Sequence, residues 1–130
     1  MLPDYDDPNV WLSFAQKDAR AAKAILEADC TLTEAVGFHI QQAIEKTLKA
    51  YIIGQGRKAT HTHNIEQLLD ECGDAPILND LRAVLVPTTF FAVAIRYPGE
   101  PPPDLAKIES AMQAMDKLLT WARRRINGGS

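Results

Sequence analysis

The residues whose types and spacing suggest chemistry lie mostly on one segment with a helical pattern. Four polar side chains share one face of that helix, because they recur at intervals of three, four and seven residues: His39, Gln42, Lys46 and Lys49. Glu45 lies four residues before Lys49, a spacing at which a carboxylate and an ammonium group pair on a helix. Because ammonium groups bind phosphate oxygens, this face is a candidate phosphate-binding surface.

Two further charged residues interrupt faces that are otherwise apolar. Asp18 fills a gap in the apolar stripe of the first helix, and Arg96 continues the face of Leu85 on a later helix. An unpaired buried charge is costly, so each residue must be paired or must face a cleft. In one hypothesis Asp18 and Arg96 form a buried structural ion pair, and Glu45 and Lys49 form an ordinary surface pair.

In the alternative hypothesis the same residues form a polar pocket between helices. Arg96, Lys46 and Lys49 then hold a phosphate group, because guanidinium and ammonium groups both bind its oxygens. Asp18 and Glu45 orient these cations, and Gln42 adds hydrogen bonds.

Other catalytic or metal-binding patterns are weak. His61 and His63 are two residues apart in a loop, without the paired cysteines or the HExxH helix that zinc sites commonly use, so neither a metal nor a cofactor is predicted. His63 is expected to cap or dock the third helix. The sequence has no GxSxG motif and no phosphate-binding glycine loop, and Cys30 and Cys72 have no adjacent histidine.

A run of three arginines, residues 123–125, lies in the last turns of the final helix. Basic residues at that end of a helix complement its dipole, and this interpretation is favoured over a contact with RNA. The two interpretations differ in their salt dependence, which is steep for phosphate binding.

Length and charge limit the classes of protein to consider. A chain of 130 residues suits one domain, and its net charge of −3 excludes a globally basic nucleic-acid coat but not a local basic patch. Two cysteines outside any CxxC pair predict no disulfide framework and a reducing, cytoplasmic location. The acidic N-terminus with its prolines is unlike a signal peptide, and no apolar run is long enough to predict a membrane span.

The elements that must position these residues are helices. Apolar residues recur at steps of three and four with no alternation typical of strands, which predicts an all-α, up-and-down bundle of four to five helices. The first helix starts after Pro8, the second covers about 33–53, Asn64 caps a short third, Pro87 kinks or divides the fourth, and the fifth begins near Asp104.

Local signals also predict the ends of these elements. Thr31 and Glu34 resemble a capping box for the second helix. The chain is expected to divide into a flexible segment at 1–8, a helical bundle at 9–126 and a frayed tail at 127–130.

Several of these residues together resemble the HEPN domain family (higher eukaryotes and prokaryotes nucleotide-binding). The resemblance covers about residues 9–125. It rests, in order along the chain, on Trp11, Ala15, Asp18 and Ala22, on the block FHIQQAIEKTLKAY at 38–51, on HTHNI at 61–65, and on Arg96-Tyr97-Pro98.

The resemblance implies an α-helical bundle that forms a homodimer. Many members act as the partner of a minimal nucleotidyltransferase, in toxin–antitoxin or related stress and defence systems. Others are metal-independent ribonucleases with an arginine followed a few residues later by a histidine at the dimer cleft. Arg96 falls at the position of that arginine, but no histidine follows it before the chain ends.

The missing histidine favours a non-catalytic function. The resemblance therefore implies a nucleotide-binding or nucleotidyltransferase-partner subunit, with a degenerate ribonuclease toxin and a purely structural dimerisation module as alternatives. The candidate nucleotide-binding residues are Asp18, Gln42, Glu45, Lys46, Lys49, His63, Arg96 and Tyr97, and Arg96 is also the catalytic candidate if the chain is a ribonuclease.

Overall fold

The computed structural model describes residues 3–92 and 101–128. Within these ranges the chain forms α-helices and one 3₁₀ segment, with no strand, so the all-α prediction is confirmed. The helices are α1 (Pro8–Ala28), α2 (Thr33–Gly54), α3 (Ile65–Cys72), α4 (Pro76–Leu85) and α5 (Leu105–Asn127), and the 3₁₀ segment covers Val86–Ala92.

The start of α1 follows from its cap. Pro8 occupies the first turn, where its missing N–H costs nothing, and the Asp7 carboxylate accepts a hydrogen bond from the Asn9 amide at 2.9 Å. The preceding segment lies against the helix, because the Trp11 indole N–H donates to the Tyr5 carbonyl at 2.8 Å. Pro8 therefore belongs to the helix and not to the N-terminal segment.

Side-chain capping was predicted correctly at α3 but wrongly at α2. Asn64 Oδ1 accepts from the Gln67 amide at 3.1 Å, as expected. The N-cap residue of α2 is instead Leu32, whose side chain makes no capping hydrogen bond. The Thr31 hydroxyl and amide both donate to Asp29 Oδ1, because this carboxylate lies two residues away and competes successfully for them.

The core is built around α2, which packs against α1, α3, α5 and the 3₁₀ segment. Its central apolar residues are essentially inaccessible: Ile40, Ile44, Leu48 and Ile52. The helix α5 contributes buried apolar residues to the same core: Ile108, Met112, Met115, Leu119 and Ala122. At the end of the chain Asn127 is still helical, and Gly128 follows with a φ of +69°.

Pro87 divides the fourth helical region, as predicted. The α-helix ends at Leu85, and the following residues form a 3₁₀ helix, because proline has no N–H for the helical ladder. A 3₁₀ helix has about 3.0 residues per turn against about 3.6 in an α-helix. The placement of Arg96 on the face of Leu85 assumed α-helical spacing, which the 3₁₀ segment interrupts at Val86–Ala92. It stays a prediction, because Arg96 lies outside the described residues.

Candidate functional site

Asp18 joins α1 to α2 through both of its carboxylate oxygens. Oδ1 lies 2.9 Å from Nδ1 of His39, and Oδ2 accepts a hydrogen bond from Nζ of Lys46 at 2.5 Å. The side chain is 14% exposed, so the gap in the apolar stripe of α1 holds a paired charge. Helical spacing placed His39 and Lys46 on one face of α2, but it did not show that this face meets Asp18.

Glu45 forms a second cluster on the side of α2 that faces the loop before α3. Its Oε1 lies 2.6 Å from Nδ1 of His63 and 3.4 Å from Nζ of Lys49. The Glu45 side chain is 3% exposed, so the prediction of an ordinary surface pair was wrong. The loop that carries His63 covers this part of α2, which no local pattern reveals.

His63 docks the loop before α3 onto α2 but does not cap α3, since Asn64 does so. The side chain of His63 is 84% exposed although its Nδ1 is held by a buried carboxylate. If Nδ1 carries the proton that Glu45 accepts, Nε2 is left as a proton acceptor on an accessible ring. The arrangement is an oriented imidazole at the protein surface.

Gln42 lies at a cavity of about 400 Å³ beside this imidazole. Its amide donates to the buried Oε1 of Gln41 at 2.8 Å. The cavity is lined by Phe38, Gln41, Gln42, His63, Asn64 and Thr89. Thr89 belongs to the 3₁₀ segment and accepts a hydrogen bond from the Ile65 amide at 3.1 Å, which ties that segment to the start of α3.

Lys49 lines a different cavity, of about 260 Å³, between the N-terminal segment and α2. Its Nζ lies 5.6 Å from the centroid of the Trp11 ring, within the range of a cation–π contact. Lys58, Thr60, His61 and Tyr5 also line the cavity, and sequence reasoning identified none of them as site residues. No spacing rule connects them, because they come from two loops.

The predicted site residues therefore fall into separate groups. Asp18 and Lys46 form one cluster, Glu45, Lys49 and His63 form another, and Gln42 lies on the cavity beside the second. Arg96 and Tyr97 lie outside the described residues. Each of the two lysines contacts its own carboxylate, so Lys46 and Lys49 do not form a patch of uncompensated positive charge.

Among residues 3–92 and 101–128, no three histidine, cysteine or acidic side chains are grouped so that they could hold a metal ion. Cys30 is exposed and free, and Cys72 is buried and free. Burial raises the pKa of the Cys72 thiol to about 12. In the same part of the chain, no helix is long and apolar enough to cross a membrane.

Comparisons with known proteins agree with the fold. The family model described as HEPN domain matches residues 9–125. The crystal structure of the protein TT1696 from Thermus thermophilus is similar, with a TM-score of 0.72 and 25% sequence identity over 92% of this chain and 98% of that chain. No curated protein matches the sequence.

Proposed function

The chain belongs to the HEPN domain family, and from this premise we propose that it is a non-catalytic subunit that binds a nucleotide. The observation that carries the proposal is the Lys49 cavity, which places two lysines beside two aromatic rings. A nucleotide needs cations for its phosphates and a flat apolar surface for its base. This cavity offers both.

The two halves of a nucleotide have separate places in the cavity. Lys49 already lies over the Trp11 ring, whereas Tyr5 is 53% exposed as a residue. Its ring is in tilted contact with Trp11 and is the surface proposed for stacking of a base. Lys58 is exposed and, within the described part of the chain, has no carboxylate within ion-pairing distance. A phosphate group would therefore meet an ammonium group without an ion-pair partner at Lys58 and an oriented one at Lys49, with the carboxylate of Asp6 also on the cavity wall.

The rest of the predicted set serves this site indirectly in the proposal. Glu45 and Asp18 orient Lys49 and Lys46, since each carboxylate contacts its lysine. Gln42 adds hydrogen bonds at the neighbouring cavity, and Arg96 and Tyr97, which lie outside the described residues, stay predicted nucleotide-binding residues.

Calorimetric titration of ATP and GTP tests nucleotide binding. Lys58→Ala and Tyr5→Ala should each weaken binding at least about tenfold, equivalent to about 1.4 kcal/mol. Lys117→Ala, an exposed lysine on α5, is the matched control and should bind as the parent protein does. Failure of the parent protein to bind either nucleotide would contradict the proposal.

The proposed protein partner is a minimal nucleotidyltransferase, within a toxin–antitoxin or related stress and defence system. Family membership supports this partner, and so does an exposed Phe90, 69% accessible, on an apolar cavity of about 650 Å³. Co-purification with the product of an adjacent nucleotidyltransferase gene tests the pairing. Light scattering of the protein alone tests the homodimer that belongs to the same proposal.

A second candidate function, a metal-independent ribonuclease, is favoured by the geometry of His63. RNA cleavage without metal needs a group that moves the 2′-hydroxyl proton, and a histidine oriented by a carboxylate is suited to this at neutral pH. The Glu45–His63 pair supplies such a group, although no histidine follows Arg96.

RNA cleavage in EDTA distinguishes this candidate from the first. His63→Ala and Arg96→Ala should each abolish cleavage, whereas His61→Ala, two residues away, should not. Absence of cleavage by the parent protein under all conditions would exclude the ribonuclease. If RNA cleavage, nucleotide binding and partner binding are all absent, the chain is a structural dimerisation module.

A further inference from the structure

A basic groove lies between α1 and α5 and uses none of the residues discussed so far for nucleotide binding. It encloses about 590 Å³ and takes cations from both helices. Lys17, Arg20 and Lys23 come from successive positions three apart on α1, and Arg123 comes from α5. Residues three apart on a helix lie on the same side, so the three α1 cations form one row.

The groove carries uncompensated charge. Lys23 pairs with Asp116 at 2.7 Å, which leaves Lys17, Arg20 and Arg123. Among residues 3–92 and 101–128, none of these three has a carboxylate within 4.0 Å, and all three are exposed. Like charges gathered on one surface repel each other, and the ion pairs described above do not offset this repulsion. The stability of the bundle therefore does not explain why these cations lie together.

The helix dipole accounts for only part of the arginine run. Arg124 and Arg125 lie in the last turn of α5, where a cation complements the dipole, but Arg123 precedes that turn. The guanidinium of Arg125 lies 6.0 Å from the Trp121 ring, whereas Arg123 lines the groove. Arg123 thus differs from its two neighbours and joins the cations of α1.

The uncharged lining shows which anion the groove suits. Ser13, Gln16 and Thr120 offer hydroxyl and amide groups of the kind that bind phosphate oxygens. The apolar lining residues, Ala19 and Leu119, are buried, so no apolar anchor is available for a protein partner. The described lining contains no aromatic ring on which a base could stack.

We infer that the α1–α5 groove binds the phosphodiester backbone of a nucleic-acid strand without reading its sequence. Cations in a row, polar hydrogen-bonding side chains and the lack of a stacking surface together match backbone contact. The local charge is +3, from four cations and one acid, on a chain whose net charge is −3. For binding a nucleic-acid strand, the position of the cations therefore matters more than the net charge of the chain.

Fluorescence anisotropy with labelled oligouridylate and oligodeoxythymidylate of equal length tests the inference. Three neutralised phosphates predict a slope of about −2 in a plot of log K against log salt concentration for a single strand. Changing Arg20 and Arg123 together to glutamine should weaken binding at least tenfold and reduce the slope to about −0.7. Binding of the RNA strand alone or of both strands supports the inference.

The matched control is the double change Lys107→Gln and Arg124→Gln, which removes the same charge from α5 outside the groove. It should leave the slope and the affinity nearly unchanged. Circular dichroism and thermal unfolding show whether each variant folds. Nucleotide titration should be unaffected by the groove variant, so the groove and the Lys49 site are tested separately.

Four results would overturn the inference: no binding of either strand at low salt, an equal loss of affinity in the control, equal binding of polyglutamate, or a changed oligomeric state in the groove variant. Polyglutamate binding would indicate an acidic protein as the ligand. A changed molar mass in light scattering would indicate that the groove is an interface between copies of this chain.

Discussion

Lys46 of α2 donates a hydrogen bond to Asp18 of α1 across 2.5 Å, and His39 lies against the other carboxylate oxygen. The three groups tie the two helices together in the middle of their interface. The same pair of helices carries Trp11 and Lys49, and the Lys49 ammonium group lies over the Trp11 ring, 5.6 Å from its centroid. The interface of α1 with α2 therefore includes both the Asp18 cluster and part of the candidate nucleotide site.

We expect Asp18→Asn to lower the free energy of unfolding by about 1–3 kcal/mol. The amide keeps the shape of the side chain but leaves Lys46 partly buried without its counter-ion. Urea denaturation measures the change. Asp116→Asn is the control, because the Asp116–Lys23 pair is largely exposed and its loss should cost less than about 1 kcal/mol. Equal losses in the two variants would contradict a larger stabilising contribution from the Asp18 cluster than from the exposed pair.

The buried Glu45–Lys49 pair should be strongly coupled. Glu45→Gln removes the counter-ion of a lysine that is only 12% exposed, so a loss of about 3–5 kcal/mol is expected. Lys49→Met in the same background should restore part of that loss, because it removes the uncompensated charge. A double-mutant cycle should give a coupling energy of about 0.5–3 kcal/mol, and simple additivity would contradict the pairing.

Cys72 should make the protein less stable at alkaline pH. The folded-state pKa of about 12 lies above the ordinary 9.0, so unfolding releases a proton between these values. Stability from this thiol is fully present below pH 9.0 and is lost as the pH rises towards 12, by up to about 1.4 kcal/mol per pH unit. In Cys72→Ala the free energy of unfolding, measured by denaturant titration at each pH, should depend less on pH across this range.

Thiol labelling provides an independent measurement on the same residue. A thiol reagent should modify Cys30 rapidly in the native protein, because it is exposed, and should reach Cys72 only after denaturant is added. Rapid labelling of Cys72 in the native protein would contradict its burial. Cys30→Ala, which removes the exposed thiol, is the control.

Gly73→Ala should destabilise the protein by about 1–3 kcal/mol. Gly73 ends α3 with φ +86° and ψ −166°, a region that essentially only glycine adopts. Gly128→Ala should cost less, because φ +69° and ψ +17° are close to the left-handed helical region, which other residues visit. Thermal unfolding of the two variants gives the order, and a larger loss for Gly128→Ala would contradict this account.

The local features of this fold were predictable from the sequence. The three-and-four spacing of apolar residues predicted α-helices, Asn64 predicted the start of α3, and Pro87 predicted the break after α4. Each of these signals acts within a few residues, so the sequence contains it directly. Thr31 shows the limit of such signals, because the pattern with Glu34 predicted a capping box, whereas the Thr31 amide and hydroxyl both donate to Asp29.

Only the tertiary structure decided which charged groups meet. The periodicity of a helix fixes the direction in which a side chain leaves its own axis, but not which element lies opposite. His63 and Glu45 are 18 residues apart, and their contact depends on how a loop folds over α2. In the same way, the sequence placed Arg123 at the end of a helix, and only the packing of α5 against α1 brought it into the same groove as Arg20.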